Sequence, residues 1–149
     1  MIKKIEITEF DKINLMRFFL AVFALLEVAA HLFASPGSTP AVTFWLQVEI
    51  AFYVIIAVVY LFGLRIYYVP ALLFSVFNIC VFFISAIVVL PGITTTLLIG
   101  HIQFLQYSYG RGVSLFNWIF LIILGTFALK YDTGSEINAS IKSIKLKSS

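Results

Sequence analysis

The chain has 149 residues, of which 62% are hydrophobic, 17% aromatic and only 11% charged. Because soluble domains carry about 25% charged residues, this composition excludes a soluble enzyme or binding domain and indicates a single-domain integral membrane protein. The net charge of +3 does not indicate nucleic acid, since the basic residues lie at the ends of apolar segments, where they fit membrane topology and anionic lipid better.

Four segments are long and apolar enough to cross a hydrocarbon core of about 30 Å as helices. In chain order they are residues 13–34, 43–64, 70–90 and 114–130, and with their connections they predict a transmembrane helical bundle over residues 1–131. Pro70 suits the first turn of a helix, and Gly63 suits the end of one. Residues 132–149 are rich in Ser and Lys and predict a flexible polar tail.

Residues 93–112 are apolar but contain His101, so they predict either a fifth span or a segment that lies in the interface or re-enters the bundle. Within them, the YGRG sequence at 109–112 predicts a turn. With four spans and a cytoplasmic N-terminus, every basic residue except Arg111 lies inside, whereas five spans place the lysine-rich tail outside. The positive-inside rule therefore favours an all-α, multi-pass four-helix bundle in the cell membrane, with both termini cytoplasmic. Trp45 and Trp118 would then lie near the outer interface.

Ionisable residues inside the apolar segments predict a polar site. Glu27 and His31 are four residues apart and share a face of the first helix, and Glu49 opens the second. Because the loop between these helices is short, the three side chains can meet in the outer third of the bundle, and His101 joins them if residues 93–112 fold back. An ionisable side chain at this depth costs about 3 kcal/mol on the insertion scale, so it usually has a partner or a function.

Polar stripes on the second and third helices predict the faces that turn inward. On the second helix the stripe consists of Glu49, Tyr53, Ile56, Tyr60 and Gly63. On the third helix Ser75, Asn78 and Ser85 share one side, which is typical of contacts between transmembrane helices without chemistry.

Two Glu and two His have three uses besides an internal ion pair that only fixes helix packing. They could hydrogen-bond a quinone and carry its protons, ligate haem b through His31 and His101, or bind a divalent metal. The Glu-x-x-His spacing typical of metal-binding bundles is absent, so no metal ligands are predicted. The motifs of nucleotide-binding proteins, zinc proteases and serine hydrolases are also absent, and the single cysteine, Cys80, excludes an internal disulfide.

Several short motifs follow one another in order. Arg17 opens the first helix and EVAAHLF closes it, Glu49 opens the second and LFGLR closes it, and GRGVSLFNW comes late in the chain. From Leu15 to Trp118 this order resembles the DoxX/DoxD-like family of small four-helix membrane proteins. Residue by residue, the resemblance implies a role for Arg17, His31, Glu49, Arg65, Gly110, Arg111 and Ser114, while Phe116 and Asn117 replace the family's late aspartate.

The resemblance implies a membrane redox system, since DoxD-like proteins are associated with thiosulfate:quinone oxidoreductase and terminal quinol oxidase complexes, and DoxX-like ones with oxidative-stress assemblies. We therefore expect a small integral-membrane subunit of a quinone-linked respiratory complex, which is an enzyme only as part of that complex. Its partners would be the lipid bilayer and other membrane subunits or further copies of itself, not nucleic acid. Two alternatives stay open: a non-catalytic assembly or stabilising subunit, and a small transporter or channel lined by the carboxylates.

Overall fold

The computed structural model describes residues 9–34, 40–85 and 109–134. Within these ranges the chain is helical and forms no β-strand: α1 is Glu9–Ala34, α2 Pro40–Leu61, α3 Tyr68–Ser85 and α4 Tyr109–Tyr131, and a 3-10 turn, Arg65–Tyr67, joins α2 to α3. Four apolar stretches of 19 to 22 residues are long enough to cross a membrane: one lies within each of α1, α2 and α4, and one runs from the 3-10 turn into α3. For this part of the chain, the prediction of an all-helical membrane protein with four helices able to span the bilayer is confirmed.

The helices run alternately up and down, and α1 lies against both α2 and α4. One end of the bundle is marked by Arg17 of α1, which contacts Asp132 just after α4. The other end is marked by His31 of α1, which contacts Glu49 near the start of α2. α3 packs mainly against α4, and its contacts with α2 are made largely by side chains.

Small side chains allow α1 to approach its neighbours closely. Ala21, Ala24 and Ala30 are all buried. In lipid no hydrophobic force drives helices together, so close van der Waals packing at small residues carries much of the association. Conversely, large apolar side chains such as Phe33, Leu73 and Phe116 are exposed on the outside of the bundle, where a bilayer solvates them.

The predicted inward stripes on α2 and α3 are confirmed for the side chains that the structure describes. On α2 the stripe is buried apart from Glu49, whose side chain is 21% exposed at the end of the helix. On α3 Ser75 and Asn78 are buried, whereas Cys80 is exposed on the opposite side. The side chain of Ser85 lies outside the described residues.

A glycine in the left-handed conformation ends α2. Gly63 has φ of +61°, and the N–H groups of Gly63 and Leu64 donate to the carbonyl oxygens of Tyr60 and Val59 at 3.0 and 2.9 Å. This is a Schellman motif, which satisfies carbonyl groups that the last turn of a helix otherwise leaves unpaired. The chain then turns directly through the 3-10 segment into α3, with Pro70 in the first turn of that helix as predicted.

Two sequence-based expectations are wrong. The YGRG sequence is not a turn but the first turn of α4, which begins at Tyr109 rather than at residue 114. Asp132 does not begin the polar tail, because its side chain is buried and bonded within the bundle. Trp118 is packed inside the bundle, with only 7% of it exposed, and its place near the outer interface stays a prediction.

Other expectations fall outside the described residues. These are the last residues of the third predicted span, up to residue 90, the placement of residues 93–108 with His101, and the polar tail beyond Gly134.

Candidate functional site

The site begins with two ionisable residues, one helical turn apart, near the end of α1. Glu27 is fully buried and His31 is 5% exposed. The ring Nδ1 of His31 lies 2.7 Å from the main-chain oxygen of Glu27 and 3.6 Å from its carboxylate Oε2. A carbonyl oxygen can only accept, so Nδ1 carries a proton and donates it to the backbone.

The other ring nitrogen of His31 meets the second helix. Nε2 contacts the carboxylate Oε2 of Glu49, so α1 and α2 are joined by a direct histidine–carboxylate contact. Because Nδ1 is already protonated, this contact holds one proton, either on Nε2 of an imidazolium or on the carboxyl group of Glu49. The Glu49 side chain is 21% exposed, so the proton lies at the boundary between the interior and the surroundings of the bundle.

Helix α4 holds the buried carboxylate from the opposite side. Asn117 Nδ2 donates to Glu27 Oε1 at 2.8 Å, and both side chains are buried. Ser114, one turn earlier on α4, is also buried and lies against the same carboxyl group. Sequence reasoning missed Asn117 as a site residue, although a lone Asn within the apolar run FNWIFLIIL was a signal that could have found it.

A second layer of polar and aromatic side chains lies beside His31. The ring of Tyr53 on α2 packs against the imidazole with centroids 5.9 Å apart. Its hydroxyl accepts a hydrogen bond from Asn78 Nδ2 of α3 at 2.8 Å, and Phe74 packs edge-on against the tyrosine ring. All four helices therefore contribute to the surroundings of the Glu27–His31 pair.

The predicted site residues are thus brought together in part. Glu27, His31 and Glu49 form one connected group, as the short loop between their helices predicts. His101 lies outside the described residues. In the described part of the chain, no group of three or more His, Cys, Asp or Glu is arranged to hold a metal ion.

The residues singled out by the family resemblance lie in two places. Ser114 lies against Glu27, in the site. Gly110 and Arg111 are in the first turn of α4, and the side chain of Arg111 lies outside the described residues. Arg17 and Arg65 belong to a separate polar cluster at the opposite end of the bundle.

This second cluster is built around Asp132. Arg17 donates to both carboxylate oxygens, from Nε at 2.7 Å and from a terminal nitrogen at 2.5 Å, and the hydroxyl of Tyr68 donates at 2.6 Å. The N–H of Gly134 completes the set at 2.7 Å. Burial alone raises the pKa of the Asp132 carboxyl, but the hydrogen bonds from Arg17, Tyr68 and Gly134 outweigh it, so its pKa lies below the ordinary value.

Two further contacts fix this cluster to the helix ends. The guanidinium of Arg17 lies directly over Gly63, where a Cβ atom would come within 2.5 Å of the guanidinium carbon. Arg65 donates to the main-chain oxygen of Leu129 at 2.9 Å, in the last turn of α4. A cation at this position pairs with the partial negative charge of a helix C-terminus. The cluster therefore ties α1, the α2–α3 turn and α4 together.

The geometry of this second cluster indicates a structural role rather than a catalytic or binding one. Each carboxylate oxygen of Asp132 accepts two hydrogen bonds, and the charge of Arg17 is neutralised by a bidentate partner. In the Glu27–His31–Glu49 group, by contrast, one proton is shared between His31 and Glu49, and one carboxylate oxygen of Glu27 lies 3.6 Å from His31 with no hydrogen bond among the described residues. Comparison with models of known protein families, with curated proteins and with solved structures finds no match to this chain.

Proposed function

We propose that this chain is a small integral-membrane subunit of a quinone-linked redox complex, with a role like that of the DoxX/DoxD-like proteins that its motifs resemble. In this role Glu27, His31 and Glu49 receive protons from a quinol bound at their end of the bundle. Oxidation of the quinol releases two electrons, which pass to a redox centre of a partner subunit, and two protons, which pass to the carboxylates. The complex lies in the cell membrane, with this end of the bundle outside.

The gradation of burial along the three side chains carries the proposal. Exposure rises from zero at Glu27 through 5% at His31 to 21% at Glu49, and His31 contacts both carboxylates. Groups that exchange protons in a membrane need titratable neighbours, because an isolated charge at bilayer depth is costly. Here His31 touches Glu49 and lies 3.6 Å from Glu27 Oε2. A histidine is suited to the middle position, since it titrates near neutral pH and can donate from one nitrogen while it accepts at the other.

A second candidate function, a non-catalytic stabilising subunit, is supported by a different observation. Asn117 holds Glu27 from α4 and Glu49 holds His31 from α2, so the same contacts would also fix the packing of three helices. Polar groups do act in this way in membranes, with about 0.6 kcal/mol per interhelical hydrogen bond on average.

Purification from native membranes in mild detergent separates the two functions. Bound quinone is extracted and quantified, co-purifying subunits are identified, and quinol-dependent electron transfer is measured for the wild type and for Glu27→Gln and His31→Gln. Both substitutions keep side-chain size but remove the proton-accepting groups. Cys80→Ser is the matched control, because Cys80 is exposed on the far side of α3.

The redox proposal expects quinone in the purified complex and a loss of quinol-dependent turnover of at least tenfold in both site variants, with the control unchanged. A complex that contains no quinone, or whose turnover survives both substitutions, contradicts it. Turnover that survives while the complex falls apart more readily indicates the stabilising role instead.

A further inference from the structure

Two buried polar atoms near the site have no hydrogen-bond partner among the described residues. One is Oε2 of Glu27, an acceptor, and the other is Nε1 of Trp118, a donor. Most buried polar atoms in proteins are hydrogen-bonded to protein or to ordered water, so each exception calls for an explanation. Here one acceptor on α1 and one donor on α4 are both without a hydrogen bond, on faces of the two helices that adjoin each other.

The hydroxyl of Tyr53 connects these two atoms. Glu27 and the indole of Trp118 both lie near enough to act on this hydroxyl, and the indole N–H is directed at it, but the contact falls outside the distance and angle of a full hydrogen bond. Asn78 already donates to the Tyr53 oxygen at 2.8 Å, so the tyrosine's own proton is available to a further acceptor. Polar groups of two other helices therefore lie near one buried tyrosine hydroxyl, and Tyr53, Glu27 and Trp118 are each less than one-tenth exposed.

We infer that Glu27, Tyr53 and Trp118 bind one hydroxyl-bearing ligand. Its oxygen accepts from the indole N–H of Trp118 and the phenol O–H of Tyr53, and its own O–H donates to Glu27 Oε2. A buried water needs two to four polar partners, and these three groups supply three. A quinol hydroxyl offers the same donor and acceptor, so a water and a quinol are two sources of one chemistry.

Only the quinol source rests on the proposed function, whereas the site itself rests on the two unpaired atoms. A water at this place would extend the proton path inward from Glu49 and His31 to Tyr53. A quinol hydroxyl at this place would have its proton directed at Glu27, the most deeply buried member of the path.

The chain has only two tryptophans, which makes the indole of Trp118 a specific probe. The Trp45→Phe variant, labelled with ¹⁵N in the indole and reconstituted in nanodiscs, gives a single indole resonance, and its cross-relaxation with water is measured by NMR. We expect a cross-peak between the Trp118 indole proton and water. We expect that peak to be lost in Glu27→Leu and weakened in Tyr53→Phe, and to persist in the control Tyr67→Phe, whose side chain is exposed.

A second arm adds decylubiquinol to the same sample. Replacement of the water peak by a cross-peak to the quinol identifies the quinol hydroxyl as a ligand and supports the proposed function as well. A water peak that decylubiquinol leaves unchanged supports the site with water as its occupant and speaks against quinol binding here. An indole proton with no cross-peak to either, or a water peak that Glu27→Leu and Tyr53→Phe both leave intact, overturns the inference.

Discussion

Gly63→Ala tests the second cluster at its most constrained point. An alanine at φ of +61° costs about 1–2 kcal/mol because its Cβ crowds the following carbonyl. The same Cβ would lie 2.5 Å from the guanidinium carbon of Arg17, so the guanidinium must move away from its bidentate contact with Asp132. Separating a buried ion pair costs about 3–5 kcal/mol, and the 12% exposure of the Arg17 side chain favours the lower end. We expect a total loss of about 4–5 kcal/mol in the free energy of unfolding.

The assay is reversible unfolding in mixed detergent micelles, followed by circular dichroism. Gly112→Ala is the matched control, because a Cβ at that helical glycine meets no atom within 4 Å in the described part of the chain, apart from its own helix backbone and chain neighbours. We expect this control to be unchanged or up to about 1 kcal/mol more stable, as alanine is the better helix former.

A double-mutant cycle with Asp132→Asn identifies the cause of the loss. In the Asp132→Asn background the ion pair is already weakened, so Gly63→Ala should cost only the conformational part, about 1–2 kcal/mol. A loss below about 1 kcal/mol in the wild-type background, or an equal loss in both backgrounds, would refute the idea that Gly63 is required for the approach of Arg17.

Other perturbations give smaller, separable effects. Folding lowers the pKa of the Asp132 carboxyl below 3.8, so its contribution to stability is fully present above that pH. The contribution is lost as the pH falls through the folded-state pKa. Acid titration of unfolding should show this decline in the wild type and not in Asp132→Asn. Asn117→Ala should cost about 1–3 kcal/mol in the same unfolding assay, since it leaves Glu27 Oε1 buried without its donor; a change within 0.5 kcal/mol would contradict this contact. Gly125→Ala should destabilise the folded protein by about 1–3 kcal/mol, less the gain in helix propensity, because the new Cβ would lie 2.9 Å from the Tyr60 hydroxyl. A variant that unfolds at or above the wild-type temperature would contradict this.

Much of the candidate site follows from short-range sequence patterns. Glu27 and His31 share a face because they are four residues apart, and the short connection to α2 places Glu49 beside them. The same patterns cannot show what meets Glu27 from the other side. Asn117 is 90 residues away, and its partner depends on how α4 is rotated about its axis within the bundle.

The second cluster shows the limit more sharply. Arg17 and Asp132 are 115 residues apart, and the polar composition after residue 131 predicts a tail, not a buried carboxylate. The residues around Asp132 in the sequence do not indicate its partner. The Arg17–Asp132 contact forms only when α1 and α4 run antiparallel and bring these two residues to the same depth. Gly63 is similar: its role as a helix end is visible in the sequence, but the guanidinium lying over it is not.

The sequence by itself determined that the described helices suit a lipid environment, how many of them can span a bilayer, and which faces of α2 and α3 turn inward. The reason is that hydropathy and helical periodicity are local properties of the sequence. Only the tertiary structure decided which of these faces meet, and with them the Asn117–Glu27 contact and the Arg17–Asp132 pair. The physical reason is that lipid surrounds every apolar helix alike, so the choice of neighbour depends on close packing and polar contacts between distant parts of the chain.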